Sequence, residues 1–322
     1  MNKLLFVCVL MLAVVGCSTP TKGPTSIANV GVRVRSDLRI IVPINEEHIT
    51  WEAMLKKIDN VDVVLLGELH DHAVGHAVQF GIVEDVMKKY PGSVLALEML
   101  ERDEQLLVDD YMDGLIDADK LALKTQSASW AGRGSWDAWY QPIIDVVKDS
   151  GGEVVAANAP RRYVRVARLG GYEQIDALPL DRRAFVDYPE NLSSGKYRQR
   201  FWELASHGDE SEEVVGVDVT TIDPDDPMLP TFKSMQAWDA TMAQSIVNAN
   251  PSNRHKVVLL VGQFHVEYDG GIVQEIRNRM PGAKVLVISI QREIPDEDWR
   301  GDDSKENAPP IADIMIVENA TN

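Results

Sequence analysis

Asp62-Val63-Val64-Leu65-Leu66 runs directly into Gly67-Glu68-Leu69-His70-Asp71-His72. A short apolar run closed by a glycine and a polar cluster is the mark of a strand buried on both faces. Outward from it, Ala73–Tyr90 has helical spacing and stops at Pro91-Gly92. Ser93–Leu97 (SVLAL) reads as a second buried strand, and Ser135–Ser150 as a helix ending at Gly151-Gly152. Glu153–Ala157, Lys256–Val261, Lys284–Ile290 and Ala312–Val317 continue the strand series. Continuous apolar strands alternating with amphipathic helices predict an α/β fold: a three-layer α/β/α arrangement around a mostly parallel sheet.

About a hundred residues between the third and fourth strands carry no strand pattern. Arg161–Leu169, Ser193–Ser206 and Met228–Asn250 look helical, and Glu203–Asp226 reads as an acidic loop. This predicts an α/β core over residues 36–165 and 250–322, with an inserted helical subdomain over 166–249, joined by Glu101–Leu123. Glu47–Ile58 reads as the first amphipathic helix, with His48 on its surface.

The amino end carries its own signal. Lys3 precedes an apolar run from Leu4 to Val15, which ends at Gly16-Cys17-Ser18. The run is short for a membrane span and suits a signal peptide. Residues 1–17 are therefore expected to be a lipoprotein signal, with Cys17 the lipidated residue. Several acyl chains make such an anchor stable. Residues 18–35, rich in Pro, Thr, Ser and Gly, read as a flexible tether. The expected location is the bacterial cell envelope, and Ser18 favours the outer membrane.

Composition narrows the chemistry. A net charge of −18 with no basic stripe argues against nucleic acid. Cys8 and Cys17 are the only cysteines and both fall in the signal, so disulfides, thiolate metal sites and a cysteine nucleophile are excluded from the mature fold.

Polar residues follow four of the strands. Glu68 and His70 follow the first, Glu98 the second, Asn158 and Arg161 the third, and Gln263 and His265 the fourth. In an open parallel sheet the carboxyl ends of the strands line the ligand crevice, so these residues are expected to face one another. Each Gly-x-x-His segment lets the chain turn tightly off its strand. Glu68, His70, Glu98 and His265 are the catalytic candidates, and Glu68, His70 and His265 form a candidate set for a divalent metal ion. The plainer alternative is helix caps and satisfied core polar groups. His72 and His76, four apart, share a helical face and offer a second chelating pair, while Asp71 is either a ligand or an N-cap. Trp130–Tyr140 (WAGRGSWDAWY) either fills core or lines a flat apolar pocket. Arg161, Arg162 and Arg165 open a helix and suit carboxylates or phosphates.

Seven segments, in order, resemble the ChaN family of haem-binding lipoproteins: Gly67–Phe80 (GELHDHAVGHAVQF), Val94–Leu100, Trp136–Ile143, Val154–Arg162, Ser234–Ala243 (SMQAWDATMA), Leu259–Ile272 (LLVGQFHVEYDGGI) and Ala312–Val317. The wider Tiki superfamily is similar too, including erythromycin esterases. The resemblance implies haem as cofactor, in service of iron or haem uptake, with an importer as partner and a site shared in a homodimer. It places Glu68, His70, Glu98 and His265 on the superfamily's polar cleft, and Asn158 and Arg161 on its strand-end segment. It implies a tyrosine ligand to the iron, Tyr163 or else Tyr140, with Arg161 or Arg162 pairing the propionates. Two other readings stay open: a hydrolase, esterase or peptidase, working through the Glu/His cleft, and a non-catalytic envelope interaction module.

Overall fold

The computed structural model describes residues 27, 34–125, 127–206, 222–249, 255–296, 298–302 and 308–318. The signal segment, Cys17 and His207 lie outside the described residues. Eight strands form one sheet: β1 (Leu38–Val42), β2 (Glu47–Ile49), β3 (Val63–Glu68), β4 (Val94–Glu101), β5 (Glu153–Asn158), β6 (Val257–Gly262), β7 (Val285–Gln291) and β8 (Ile314–Glu318). Their order is β2-β1-β8-β7-β3-β6-β4-β5. The six from β8 to β5 run parallel, and β1 pairs antiparallel to both β8 and β2.

Side chains on the central strands alternate between two buried layers, as the pleat requires. Val64 and Leu66 pack into the layer built by α1 (Trp51–Asp59), α2 (Ala73–Lys89), α3 (Gln105–Met112), α4 (Ala118–Lys124) and α5 (Gln141–Asp149). Val63 and Leu65 pack into the opposite layer. There α10 (Leu229–Ala249) and α11 (Gly271–Arg279) supply Met242, Ala243, Ile246, Ile272 and Ile276. Between β5 and α10 lie α6 (Arg161–Gly170), α7 (Tyr172–Asp176), α8 (Leu180–Arg183) and α9 (Gly195–Ser206), with apolar clusters of their own.

Several expectations need correction. Residues 47–58 are not one helix. Glu47–Ile49 is the edge strand β2, His48 lies on it, and Thr50 caps α1 by accepting from the Ala53 N–H at 3.2 Å. Asp71 does not cap α2: His72 holds the N-cap position without a side-chain cap, and Asp71 pairs with Arg292 at 2.7 Å. The helix after Ser135 opens with a π-helical turn over Trp136–Tyr140. Glu101–Leu123 does not join the helical subdomain, because Val108, Tyr111 and Leu121 are buried in the layer of α2 and α5. Ile27 and Val34, inside the span expected as tether, are buried in that same core, and Arg35 pairs with Glu84 and Asp85.

Candidate functional site

The chain passes from β3 to β4 and β5, then returns to insert β6 between β3 and β4. Three strand ends thereby meet, and each carries part of the site. Glu68 is the last residue of β3, Asn158 of β5, and Gly262 of β6. Glu98 lies within β4, where the register with β5 shifts between Leu97 and Glu101. That irregularity leaves the Glu98 carbonyl to accept from Asn158 Nδ2 at 2.9 Å.

Glu68 is buried and fully engaged. Its Oε1 accepts from His70 Nδ1 at 2.8 Å and from the Tyr140 hydroxyl at 2.7 Å, and its Oε2 accepts from Gln79 Nε2 at 2.7 Å. Burial would raise its pKa, but the fields of His76 and His70 and the hydrogen bonds from His70 and Tyr140 hold it below the usual carboxylate value. Burial alone would lower the pKa of His70. The bond to Glu68 and the charges of Glu98, Glu68 and Asp71 outweigh burial and raise it to about 9. The His70 side chain is 42% exposed and meets Trp130 edge-on, with ring centroids 5.9 Å apart. The Arg161 guanidinium lies 4.7 Å from the Trp130 ring centroid and is itself exposed.

His265 faces two carboxylates. Its Nδ1–H donates to Asp239 Oδ1 at 2.5 Å, and Nε2 lies 3.8 Å from Glu98 Oε1. Asp239 is wholly buried on α10 and also accepts from the Tyr197 hydroxyl at 2.6 Å and Gln236 Nε2 at 2.9 Å. Burial would lower the His265 pKa, but Asp239 and Glu98 together keep it above the ordinary histidine value. Glu98 Oε2 accepts from the Gly262 N–H at 2.6 Å.

Gly262 lies in close quarters. Its φ of −53° suits any residue, so the turn argument fails there. A β-carbon on it would sit 3.3 Å from His70 Cε1 and Nε2 and 3.4 Å from Glu98 Oε2. His70 and Glu98 thus converge over one backbone position, as the strand-end argument expected, with His265 beside Glu98.

Other candidates are placed differently. The rings of His72 and His76 part company: His72 Nε2 bonds Glu318, whereas His76 Nδ1 lies 2.9 Å from Gln79 Oε1 and its Nε2 lies 3.0 Å from the His70 carbonyl oxygen. Trp139 stacks on His76 with centroids 4.6 Å apart. Among the described residues no group of three or more His, Cys, Asp or Glu side chains is arranged to hold a metal ion. Tyr140 is fully buried, and burial together with the Glu68 charge raises its pKa well above the ordinary phenol value. Tyr163 is 8% exposed and packs beneath the Arg162 guanidinium. Arg162 in turn pairs with Asp103 at 2.5 Å. Sequence reasoning missed Asp239, which lies mid-helix, away from any strand end. Its place is marked only in three dimensions, where a β-carbon on Gly271 would lie 2.0 Å from Asp239 Oδ2.

The frame that holds these residues is a family trait. Residues 54–276 match the family described as haem-binding uptake, Tiki superfamily, ChaN. The chain belongs to the ChaN family. Within this ChaN-family chain the matched span includes Glu68, His70, Glu98, Asp239 and His265. A solved structure of ChaN from Campylobacter jejuni, described by its cofacial haem binding, is 20% identical with a TM-score of 0.61, covering 88% of this chain and 98% of that one. That likeness concerns the fold. An erythromycin esterase mutant in its open conformation is 11% identical with a TM-score of 0.41, covering 84% of this chain and 80% of its own. The chloroplast protein RETICULATA-RELATED 5 of Arabidopsis thaliana is 26% identical over 279 residues, 82% of this chain. The chain spans about a third (34%) of that relative's length.

Proposed function

We propose that this ChaN-family chain binds haem at the carboxyl edge of its sheet, with His70 as the iron's protein ligand, and serves iron or haem uptake from a lipid anchor at Cys17. One observation carries the reading: a half-exposed imidazole whose Nδ1–H is fixed on a buried carboxylate, beside an indole that carries an exposed guanidinium. A metal-ligating histidine characteristically gives its second ring N–H to a carboxylate, which fixes the ring and strengthens the donor nitrogen. The residues fit the group. His70 Nε2 offers the lone pair once its proton is displaced, Trp130 offers an apolar face, and Arg161 suits a propionate. Trp130 Nε1 is buried and has no hydrogen-bond partner among the described residues. Haem brings an iron centre and a flat macrocycle with two anionic side arms. The family's description supports the ligand class.

Haemin titration of the full chain in detergent tests this. A saturable Soret shift in wild type, lost or weakened at least tenfold in His70→Ala, is expected. A shift unchanged in His70→Ala and abolished in Tyr163→Phe would return the iron to a tyrosine. Fractionation tests the anchor: Cys17→Ala is expected to move the protein from the membrane pellet to the soluble fraction. Cross-linking with and without haemin tests the homodimer and the importer contact.

A second reading, hydrolysis, is favoured by the buried Asp239–His265–Glu98 chain, which haem ligation by His70 leaves unused. An imidazole held by one carboxylate and facing another suits proton transfer to or from a substrate. Turnover of simple esters or peptides by wild type, lost in His265→Gln, would establish it. Absence of turnover would leave the chain as a structural support.

A further inference from the structure

A short basic face interrupts the acidic molecule on the helices after β5. From Arg161 to Arg183 the chain carries six arginines against three carboxylates, Glu173, Asp176 and Asp181, a net +3 within a total of −18. On α6, Tyr163, Val164 and Ala167 turn inward and pack with Ile175, Val186 and Ala237. Arg161, Arg162, Arg165, Arg168 and Leu169 are exposed, at the i, i+1, i+4, i+7, i+8 spacing of one helical face. Arg162 is tied to Asp103, Arg161 rests over Trp130, and Arg183 lies 3.5 Å from Asp176. The guanidinium groups of Arg165, Arg168 and Arg182 have no partner among the described residues. Two leucines project from the same stretch: Leu169 near the end of α6 is 74% exposed, and Leu180 at the start of α8 is 88% exposed. Leu178 and Phe185, on either side of α8, pack against the cluster that holds α6. Leu106, Leu115 and Leu123 are also exposed, but residues 103–119 hold seven carboxylates and no cation.

We propose that the exposed face of α6, extended by α8, docks on an anionic phospholipid surface: Arg165, Arg168 and Arg182 meet headgroup phosphates while Leu169 and Leu180 enter the interface. The inference goes beyond the haem reading and needs neither haem nor a lipid on Cys17. A guanidinium matches a phosphate with two parallel hydrogen bonds, and an exposed leucine gains by leaving water. Each cation held near an anionic bilayer raises partitioning roughly fivefold. The charge of the whole molecule is no bar. At physiological salt the Debye length is about 8 Å, so only the residues facing the surface count. A nucleic acid would take up the arginines and leave both leucines in water. Asp225 and Asp226 share a groove with Arg168, Leu169 and Lys233, which limits the basic face on that side.

Vesicle flotation tests this on the full chain carrying Val9→Asp, Leu12→Asp and Cys17→Ala, which removes the apolar run and the thiol as other routes to the bilayer. The vesicles are phosphatidylcholine alone or with about 30% phosphatidylglycerol, at about 0.1 M salt. Binding to the anionic vesicles is expected to exceed binding to the neutral ones at least about tenfold, and to be lost at about 0.5 M salt. Arg165→Glu with Arg168→Glu should abolish the preference. Leu169→Asn and Leu180→Asn should each weaken binding about three- to tenfold, and Leu106→Asn should leave it unchanged. Equal binding to both vesicles overturns the inference, as does a preference that survives the double arginine reversal. An equal loss in Leu106→Asn overturns it too. So does a lipid-free dimer in sedimentation that the double reversal splits, because a second copy would then cover the face. The comparison of the two lipids needs no substitution on α6 or α8, so it decides the question even if one of those variants loses its native circular-dichroism spectrum.

Discussion

A methyl group added at Gly271 would bring a β-carbon to within 2.0 Å of Asp239 Oδ2, on a carboxylate tied to His265, Tyr197 and Gln236. None of those partners can yield without leaving a buried polar group unpaired. Gly271→Ala is expected to cost about 2–3 kcal/mol in urea unfolding. Gly262→Ala acts locally, displacing the His70 ring by a few tenths of an ångström and weakening haem binding more than stability. Glu267 gives a pH signature. It is buried against Arg200, Ser289 and Gln291, and burial outweighs these partners to raise its pKa from 4.5 to about 7. A carboxyl whose folded value exceeds the unfolded one is stabilising at low pH. Its contribution is complete below pH 4.5 and is lost as pH rises through 7, for at most about 3 kcal/mol. Chemical denaturation across that window should show the decline, and Glu267→Gln should flatten it. At this scale the sequence was readable wherever a residue ended a strand, as with Glu68, Glu98, Asn158 and His265. Asp239 was not, because a carboxylate in the middle of a buried helix face shares its pattern with ordinary polar positions. Only the three-dimensional approach of α11 reveals why two adjacent glycines accompany it.

Elements were legible in proportion to their burial. The parallel strands β3 to β8 announce themselves as unbroken apolar runs because helices cover both of their faces. β2 does not: Glu47 and His48 are exposed, and a three-residue edge strand has no period to read. Its apolar neighbours in α1 made the whole stretch look helical. The boundary was nonetheless written in Thr50, whose hydroxyl caps the helix. Thr50→Ala is expected to cost about 1 kcal/mol, read as a shift of the urea midpoint at constant slope. The π-helical turn was not legible, since nothing in WDAWY separates it from the first turn of an α-helix. Its effect is to bring Tyr140 to Glu68 at the same time as Trp139 to His76. Leu260 sits on the central strand β6 and is wholly buried, so Leu260→Ala should cost about 2–5 kcal/mol in the same assay.

Across the whole molecule, the helices after β5 are stitched to the sheet by Arg102. Its guanidinium reaches Asp187 at 2.8 Å, the Thr241 carbonyl at 2.7 Å and Ser245 Oγ at 2.8 Å. The side chain is only 12% exposed, so Arg102→Met strands Asp187 and is expected to cost about 3–5 kcal/mol. Limited proteolysis of that variant should cut first between α6 and α9. The sheet order has a consequence for synthesis. β8 is the keystone between β1 and β7, the last of the described strands in chain order and the one that joins an antiparallel margin to the parallel body. A nascent chain must therefore leave one edge of β1 and one edge of β7 unpaired until β8 has emerged, although β2 and β3 already hold their other edges. A chain cut before Ile314 would expose two sticky strand margins in place of a closed sheet.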